Sequence, residues 1–179
     1  DGHEIYFEQS GNPKGQPIIF LHGGPGGGTG PKQRRFFDPN HYHIILFDQR
    51  GCGKTKPLGE TLNNTTQHLI SDMESIRKEL HIEEWILFGG SWGSSLALAY
   101  AIQYKEMTKG LILRGVFLSR EKELDWFLKE VDQFFPELHN KLINHKSDIN
   151  KDNLVSNYID LVFSEDKKEA REAAVAWNT

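Results

Sequence analysis

The sequence predicts an α/β fold, a mostly parallel sheet flanked by helices, followed by a wholly helical segment. Three observations predict it. Short unbroken apolar runs recur at 16–24, at the start of 41–55, at 84–90 and at 110–117, the pattern of strands buried on both faces. Stretches with helical spacing, 64–82 and 94–104, alternate with the later runs, as crossover helices do in a parallel sheet. After Phe117 the chain becomes amphipathic and helical, with no further buried strand.

The elements follow in order. Residues 4–11, EIYFEQSG, read as a strand ending in a turn. QPIIFLHGG (16–24) is a buried strand, and the PGGGTG after it (25–30) is a loop. HYHIILFDQRGCGKT (41–55) is a second buried strand running into another glycine loop. In 64–82 the apolar residues Leu69, Ile70, Met73, Ile76 and Leu80 share one helical face, and Thr65 or Thr66 can cap the N-terminus. EWILFGG (84–90) is a third buried strand, SSLALAYAIQY (94–104) an apolar helix and GLILRGVF (110–117) a fourth buried strand. Two domains are expected: 1–116 as the sheet-bearing core and 117–179 as a helical region. No internal repeat and no low-complexity tract is visible.

Gly89-Gly90-Ser91-Trp92-Gly93 lies between a strand and a helix. A nucleophile there projects from a very tight turn, and side chains two positions to either side would collide, so glycine is needed at both. The strain lifts the hydroxyl clear of the backbone and turns the Trp92 N–H toward a developing oxyanion. The plain alternative is a helix-capping serine after a glycine turn. His22-Gly23-Gly24-Pro25-Gly26-Gly27-Gly28 follows the earlier strand, where an acyl-transfer enzyme keeps its second oxyanion donor. The Gly24 backbone can approach a substrate carbonyl closely. His22, at a strand end, is expected to hold that loop rather than to act as base.

Asp48-Gln49-Arg50-Gly51-Cys52-Gly53-Lys54-Thr55 ends like a phosphate loop, but Asp48 occupies the position of the first glycine, so the match fails. The segment reads as a turn supporting the floor of the site, with Arg50 near a carboxylate. His41 and His43 have the spacing of two ligands on one strand face, yet no third ligand is evident. Cys52 lies in a glycine loop without an evident partner.

Several blocks together resemble proline iminopeptidases: DGHEIYFEQSGNPKGQPIIFLHGGPGGG, FDQRGCGKT, NTTQHLISDMESIRKEL, ILFGGSWGSSLALAYA and LILRGVFLSR. The resemblance covers nearly the whole chain and is densest over 1–120. It implies an α/β-hydrolase fold, with 117–179 the start of a helical cap, and a serine exopeptidase that releases N-terminal proline through an acyl-enzyme. Ser91 would be the nucleophile, and the N–H groups of Trp92 and Gly24 the oxyanion hole. Phe117 matches a family aromatic near the pocket for the proline ring. Trp126 and Phe127 extend that aromatic surface at the entry to the cap. No metal or cofactor is implied. In this fold the triad runs Ser, Asp, His along the chain. Both partners belong on strands after the cap, so they are expected outside these residues, and the chain reads as the front and middle of a longer protein. The 179 residues alone are expected to be inactive.

Bulk properties agree with a small-substrate hydrolase. Net charge is −4 over 179 residues, unlike a general nucleic-acid binder. No apolar run approaches the ~20 residues that cross a bilayer, and no signal peptide is visible. A single cysteine fits a reducing compartment, the cytoplasm. Residues 116–179 hold 9 Lys+Arg against 13 Asp+Glu, while the rest is balanced. Such a surplus either solvates helix faces or attracts a cationic substrate group such as a peptide N-terminus. The remaining alternatives are another hydrolase of this fold (an esterase, amidase or lactonase) and a non-catalytic fragment or binding homologue.

Overall fold

A computed structural model of the chain describes residues 2–146 and 148–178; Asp1 and Thr179, the ends of the two expected domains, lie outside them. The chain divides into two compact units, Asp1–Leu118 and Ser119–Thr179.

The first unit is built on one five-stranded sheet. Its strands are β1 (Phe7–Gly11), β2 (Gln16–Leu21), β3 (Tyr42–Phe47), β4 (Trp85–Ser91) and β5 (Thr108–Val116), in the order β1-β3-β2-β4-β5. β2 pairs in parallel with β3 and with β4, and β4 with β5; β1 alone is antiparallel, against β3. A one-turn helix α1 (Pro31–Arg34) lies between β2 and β3. The longer helices α2 (Thr66–Glu79) and α3 (Trp92–Gln103) flank β4 in sequence.

Alternation along the strands feeds two apolar layers. Ile19, Leu21, Ile45, Phe47, Trp85 and Leu87 point to one face, where Leu69, Ile70, Met73 and Ile76 of α2 and Leu96, Ala97 and Tyr100 of α3 cover them. Ile18, Phe20, Ile44 and Leu46 point to the other, against Phe37. The last four residues of β2 and of β3 are accordingly all buried Ile, Leu or Phe. Thr65 caps α2, its hydroxyl accepting the His68 N–H at 3.4 Å. The charged residues that α2 buries are paired. Asp72 takes a bidentate Arg50 at 2.7 Å through each contact, and Glu74 takes Arg77 at 2.7 and 2.9 Å together with the Tyr100 hydroxyl at 2.6 Å.

Within the described residues β5 pairs with β4 alone. Leu111, Ile112 and Val116 are there 38%, 42% and 52% exposed, so the burial expected of this strand is not seen in these residues by themselves.

The second unit is helical: α4 (Glu121–Asp125), a π-type turn over Trp126–Glu130, a 3-10 turn over Val131–Gln133, then α5 (Pro136–Ile143), α6 (Leu154–Val162) and α7 (Lys167–Asn178). The helical texture of 120–143 is interrupted before Pro136, which lacks an N–H and takes the first position of α5 instead. Ile149, Leu154, Tyr158, Leu161 and Ala173 form its small core. Leu118 closes the first unit, and Ser94 and Ser95 of α3 hydrogen-bond the backbone of Phe117 just before it.

Candidate active site

Strand β4 passes into helix α3 with no residue between them, and Ser91 is the hinge. Its backbone lies at φ 53°, ψ −125°, left-handed for a residue with a Cβ. Such a conformation costs on the order of 1–3 kcal/mol and persists only where its surroundings over-determine it. Here they do. A Cβ on Gly89 would run into the Gly93 carbonyl oxygen, and one on Gly93 would run into that of Leu21. The Ser94 hydroxyl donates to the Ser91 carbonyl at 2.6 Å. Ser91 is exposed, and among the described residues no side chain hydrogen-bonds its Oγ.

β2 is the parallel neighbour of β4, with Leu21 level with Gly89, so the chain leaving β2 emerges beside the Ser91 turn. It passes closely: a Cβ on Gly23 would lie 3.1 Å from the Gly90 oxygen and 3.3 Å from Ser91 Cβ. Gly24 follows at φ 121°, where a Cβ would meet the Gly26 nitrogen at 2.5 Å. The loop expected to carry the second oxyanion donor therefore runs against the Ser91 turn.

His22 is buried at the head of this loop, and both ring nitrogens are engaged. Nδ1–H donates to the Gly23 carbonyl at 2.9 Å, and Nε2 accepts the Gln49 N–H at 3.0 Å. That pattern requires the neutral ring. Burial holds its pKa below the usual imidazole range, against the opposing pull of the Gly23 carbonyl and the Asp48 carboxylate. Neither nitrogen is left to take a proton from Ser91.

The loop after β3 is a clamp. Asp48, fully buried, accepts the Thr29 N–H and hydroxyl at 2.6 Å each and the Lys54 N–H at 2.8 Å. It thereby ties the far end of the glycine loop to its own turn. Gln49, 2% exposed, donates through Nε2 to the His22 carbonyl at 2.9 Å and accepts the Trp92 indole N–H at 2.9 Å. Sequence reasoning took this turn as floor and gave Gln49 no part. The available signal was position: a polar residue just past the carboxyl end of a buried parallel strand is where sites in such sheets assemble.

Phe117 follows β5. Its N–H donates to Ser94 Oγ at 3.0 Å, and Ser95 Oγ donates to its carbonyl, so its backbone is fastened to the first turn of α3. Trp126 and Phe127 lie on the π-type turn of the second unit and are 48% and 59% exposed. Phe127 also walls a cavity of about 300 Å³ within that unit, with Phe135, Leu138, His139, Leu142 and Trp177. The acidic surplus there is a surface property. None of its described Asp or Glu residues is buried, and Asp125, Asp132 and Glu169 pair with Lys129, Lys151 and Lys146.

The other candidates have structural employment. His43 bonds Gln9 at 2.8 Å, and His41 packs edge-on against Tyr42. Cys52 is buried with its thiol donating to the Arg50 carbonyl, and burial pushes that thiol's pKa up, the reverse of an activated nucleophile. Among the described residues no three His, Cys, Asp or Glu side chains cluster as metal ligands, and no helix is long and apolar enough to cross a membrane.

Comparison with known proteins follows the same lines. The family described as the alpha/beta hydrolase fold matches residues 16–179. A probable proline iminopeptidase of Leptolyngbya boryana is 48% identical over 177 residues, which are 98% of this chain and 55% of that protein. The chain spans about half the length of the curated relatives it matches. Among solved structures, the proline iminopeptidase of Mycobacterium smegmatis superposes with a TM-score of 0.63 at 18% identity, over 98% of this chain and 64% of that one. The esterase RhEst1 from Rhodococcus sp. ECU1013 does so with 0.60 at 20% identity, over 97% and 56%. Those two likenesses show a shared fold.

Proposed function

The chain belongs to the alpha/beta hydrolase fold family, and from that premise we propose that it supplies the nucleophile and oxyanion hole of a serine exopeptidase releasing N-terminal proline. Ser91 Oγ attacks the carbonyl carbon of the prolyl residue, and its proton passes to a histidine outside these 179 residues. The C–N bond breaks as that histidine returns the proton to the leaving amine. Water then hydrolyses the acyl-enzyme and frees proline. The N–H groups of Trp92 and Gly24 stabilise the oxyanion, each by about 3 kcal/mol. Phe117, Trp126 and Phe127 offer aromatic surface to the ring. The chemistry calls for no metal or cofactor, and the single cysteine supports a reducing, cytoplasmic setting.

The observation that carries this reading is the backbone of Ser91, held at φ 53° on a strand-to-helix turn between two glycines that admit no side chain. The choice of proline is supported by the names of relatives at 45–58% identity. Taken alone, residues 1–179 are proposed to be nearly inactive, because they bring no base to Ser91.

The test is release of a chromophore from a prolyl amide by the full-length protein. Ser91→Ala is expected to lower kcat at least about 10⁴-fold. Ser75→Ala, on the exposed face of α2, is expected to leave it unchanged. Substantial turnover by the Ser91→Ala protein would sink the assignment.

A further inference from the structure

The two proposed oxyanion donors belong to different elements, which strand pairing brings side by side, and their final spacing depends on how the loop after β2 is held. Trp92 opens α3, whereas Gly24 belongs to the loop after β2. Oxyanion stabilisation depends on that spacing, because the donors must meet an atom whose position is fixed by the acyl carbon. One residue reaches both. Gln49 comes from a third element, the end of β3, on the far side of β2 from β4.

Its contacts form a continuous chain. The Trp92 indole N–H donates to Gln49 Oε1, and Gln49 Nε2–H donates to the His22 carbonyl, each at 2.9 Å. The Gln49 backbone N–H donates to His22 Nε2 at 3.0 Å, and His22 Nδ1–H donates to the Gly23 carbonyl at 2.9 Å. Gln49 thus grips Trp92 with one end of its amide and the base of the glycine loop with the other. Its backbone aligns the imidazole that holds the next peptide. Each end needs a different chemistry, an acceptor toward Trp92 and a donor toward His22, and a carboxamide supplies both without a change of protonation. A merely space-filling residue in this buried position would be apolar.

We propose that Gln49 is a positioning residue for acyl transfer, setting the distance between the Trp92 and Gly24 N–H groups through its hydrogen bonds to the Trp92 indole and to His22. This rests on the hydrolase reading of Ser91 but not on the choice of proline. Gln49 touches no reacting atom. Its effect falls on the transition state, because the substrate carbonyl is bound before charge develops on its oxygen.

The experiment compares Gln49→Met, Gln49→Glu, Trp92→Phe and the Gln49→Met/Trp92→Phe double variant in the full-length protein. Each is assayed on a prolyl amide and on p-nitrophenyl acetate. Met keeps the volume and loses both bonds; Glu keeps the acceptor and loses the donor; Phe removes only the indole N–H. Each Gln49 variant is expected to lose about 10- to 100-fold in kcat with KM within about 3-fold. Affinity for a prolyl boronate, which forms a tetrahedral adduct on Ser91, is expected to fall in parallel, while inhibition by free proline stays unchanged. The double variant is expected to lose no more than the worse single one, since both break one chain. Full kcat in a folded Gln49→Met protein overturns the proposal. So does a Trp92→Phe protein with normal boronate affinity, a result that stands even if the Gln49 variants do not fold. Loss confined to unfolding midpoints, with kcat kept, likewise assigns Gln49 a structural role only. If the wild type cleaves the ester but not the prolyl amide, the proline reading fails, and the ester decides the question for Gln49.

Discussion

Ser94 joins Phe117 to Ser91. Its hydroxyl accepts the Phe117 N–H at 3.0 Å and donates to the Ser91 carbonyl at 2.6 Å. The residue that leaves the sheet after β5 is thereby tied to the Ser91 turn by one fully buried hydroxyl. Ser94→Ala leaves the Phe117 N–H and the Ser91 carbonyl without that partner. It is expected to lower stability by about 1–3 kcal/mol in urea unfolding. Ser75→Ala, on the surface, is expected to stay within about 0.5 kcal/mol. Equal midpoints for the two variants would show that the buried hydroxyl contributes nothing.

The elbow glycines divide sharply from an ordinary strand glycine. Gly93→Ala drives a Cβ into the Leu21 carbonyl, and Gly89→Ala drives one into the Gly93 carbonyl, backbone against backbone. Each is expected to destabilise by at least about 1–3 kcal/mol and to abolish activity with the Ser91 geometry. A Cβ on Gly110 in β5 meets nothing within 4 Å. Gly110→Ala is expected to be neutral or slightly stabilising, as for glycine replaced inside a strand. Thermal melts and prolyl amidase assays of the three variants check this, and a tolerated Gly93→Ala would contradict the tight elbow.

His22 sets an acid limit. Its folded-state pKa is depressed by burial, whereas the unfolded chain has the ordinary value near 6.5. Below that value the unfolded state binds more protons, so the contribution of neutral His22 is full above about pH 6.5. It is lost as pH falls through the depressed folded pKa. Protonating Nε2 also removes the acceptor for the Gln49 N–H. Urea midpoints between pH 7.5 and 5 are expected to fall in the wild type and to fall less in His22→Gln. Parallel slopes for the two proteins would place the linkage elsewhere, with buried His43 the next group to vary, its pKa also lowered by burial.

The acids of the second unit are expected to act on substrate charge through a field. The acids of the second unit lie at the surface, and several are matched by lysines. A free prolyl amide is expected to exceed its N-acetyl derivative in kcat/KM by about 10-fold at low salt. That advantage is expected to shrink as added salt shortens the screening length to below about 10 Å. Equal rates for the two substrates at every ionic strength would remove the amine from the recognition model.

Much of this protein is written in local pattern. The apolar runs of β2, β3 and β4, the helical spacing of α2 and the glycines around Ser91 each answer to neighbours within a few residues. Strand alternation, helical period and the space for a Cβ are local quantities. The tight turn at Ser91 was legible for that reason, as was the glycine loop after β2. Pairing and partnership are not local. The apolar runs of β3, β2 and β4 look alike in sequence, yet the order in which they pair is read only from the sheet. His22 reads in sequence as a prop for the loop, but the two partners that engage its ring nitrogens, Gly23 and Gln49, are seen only in the folded chain. Gln49 has a telling position in sequence but no visible partners, since these stand 27 and 43 residues away and are brought to it by the parallel pairing of β3, β2 and β4. Short-range sterics and burial periodicity are properties of the chain. Which polar groups meet in the interior is decided by how the strands order, because a hydrogen bond depends on ångström-scale placement that no local pattern encodes.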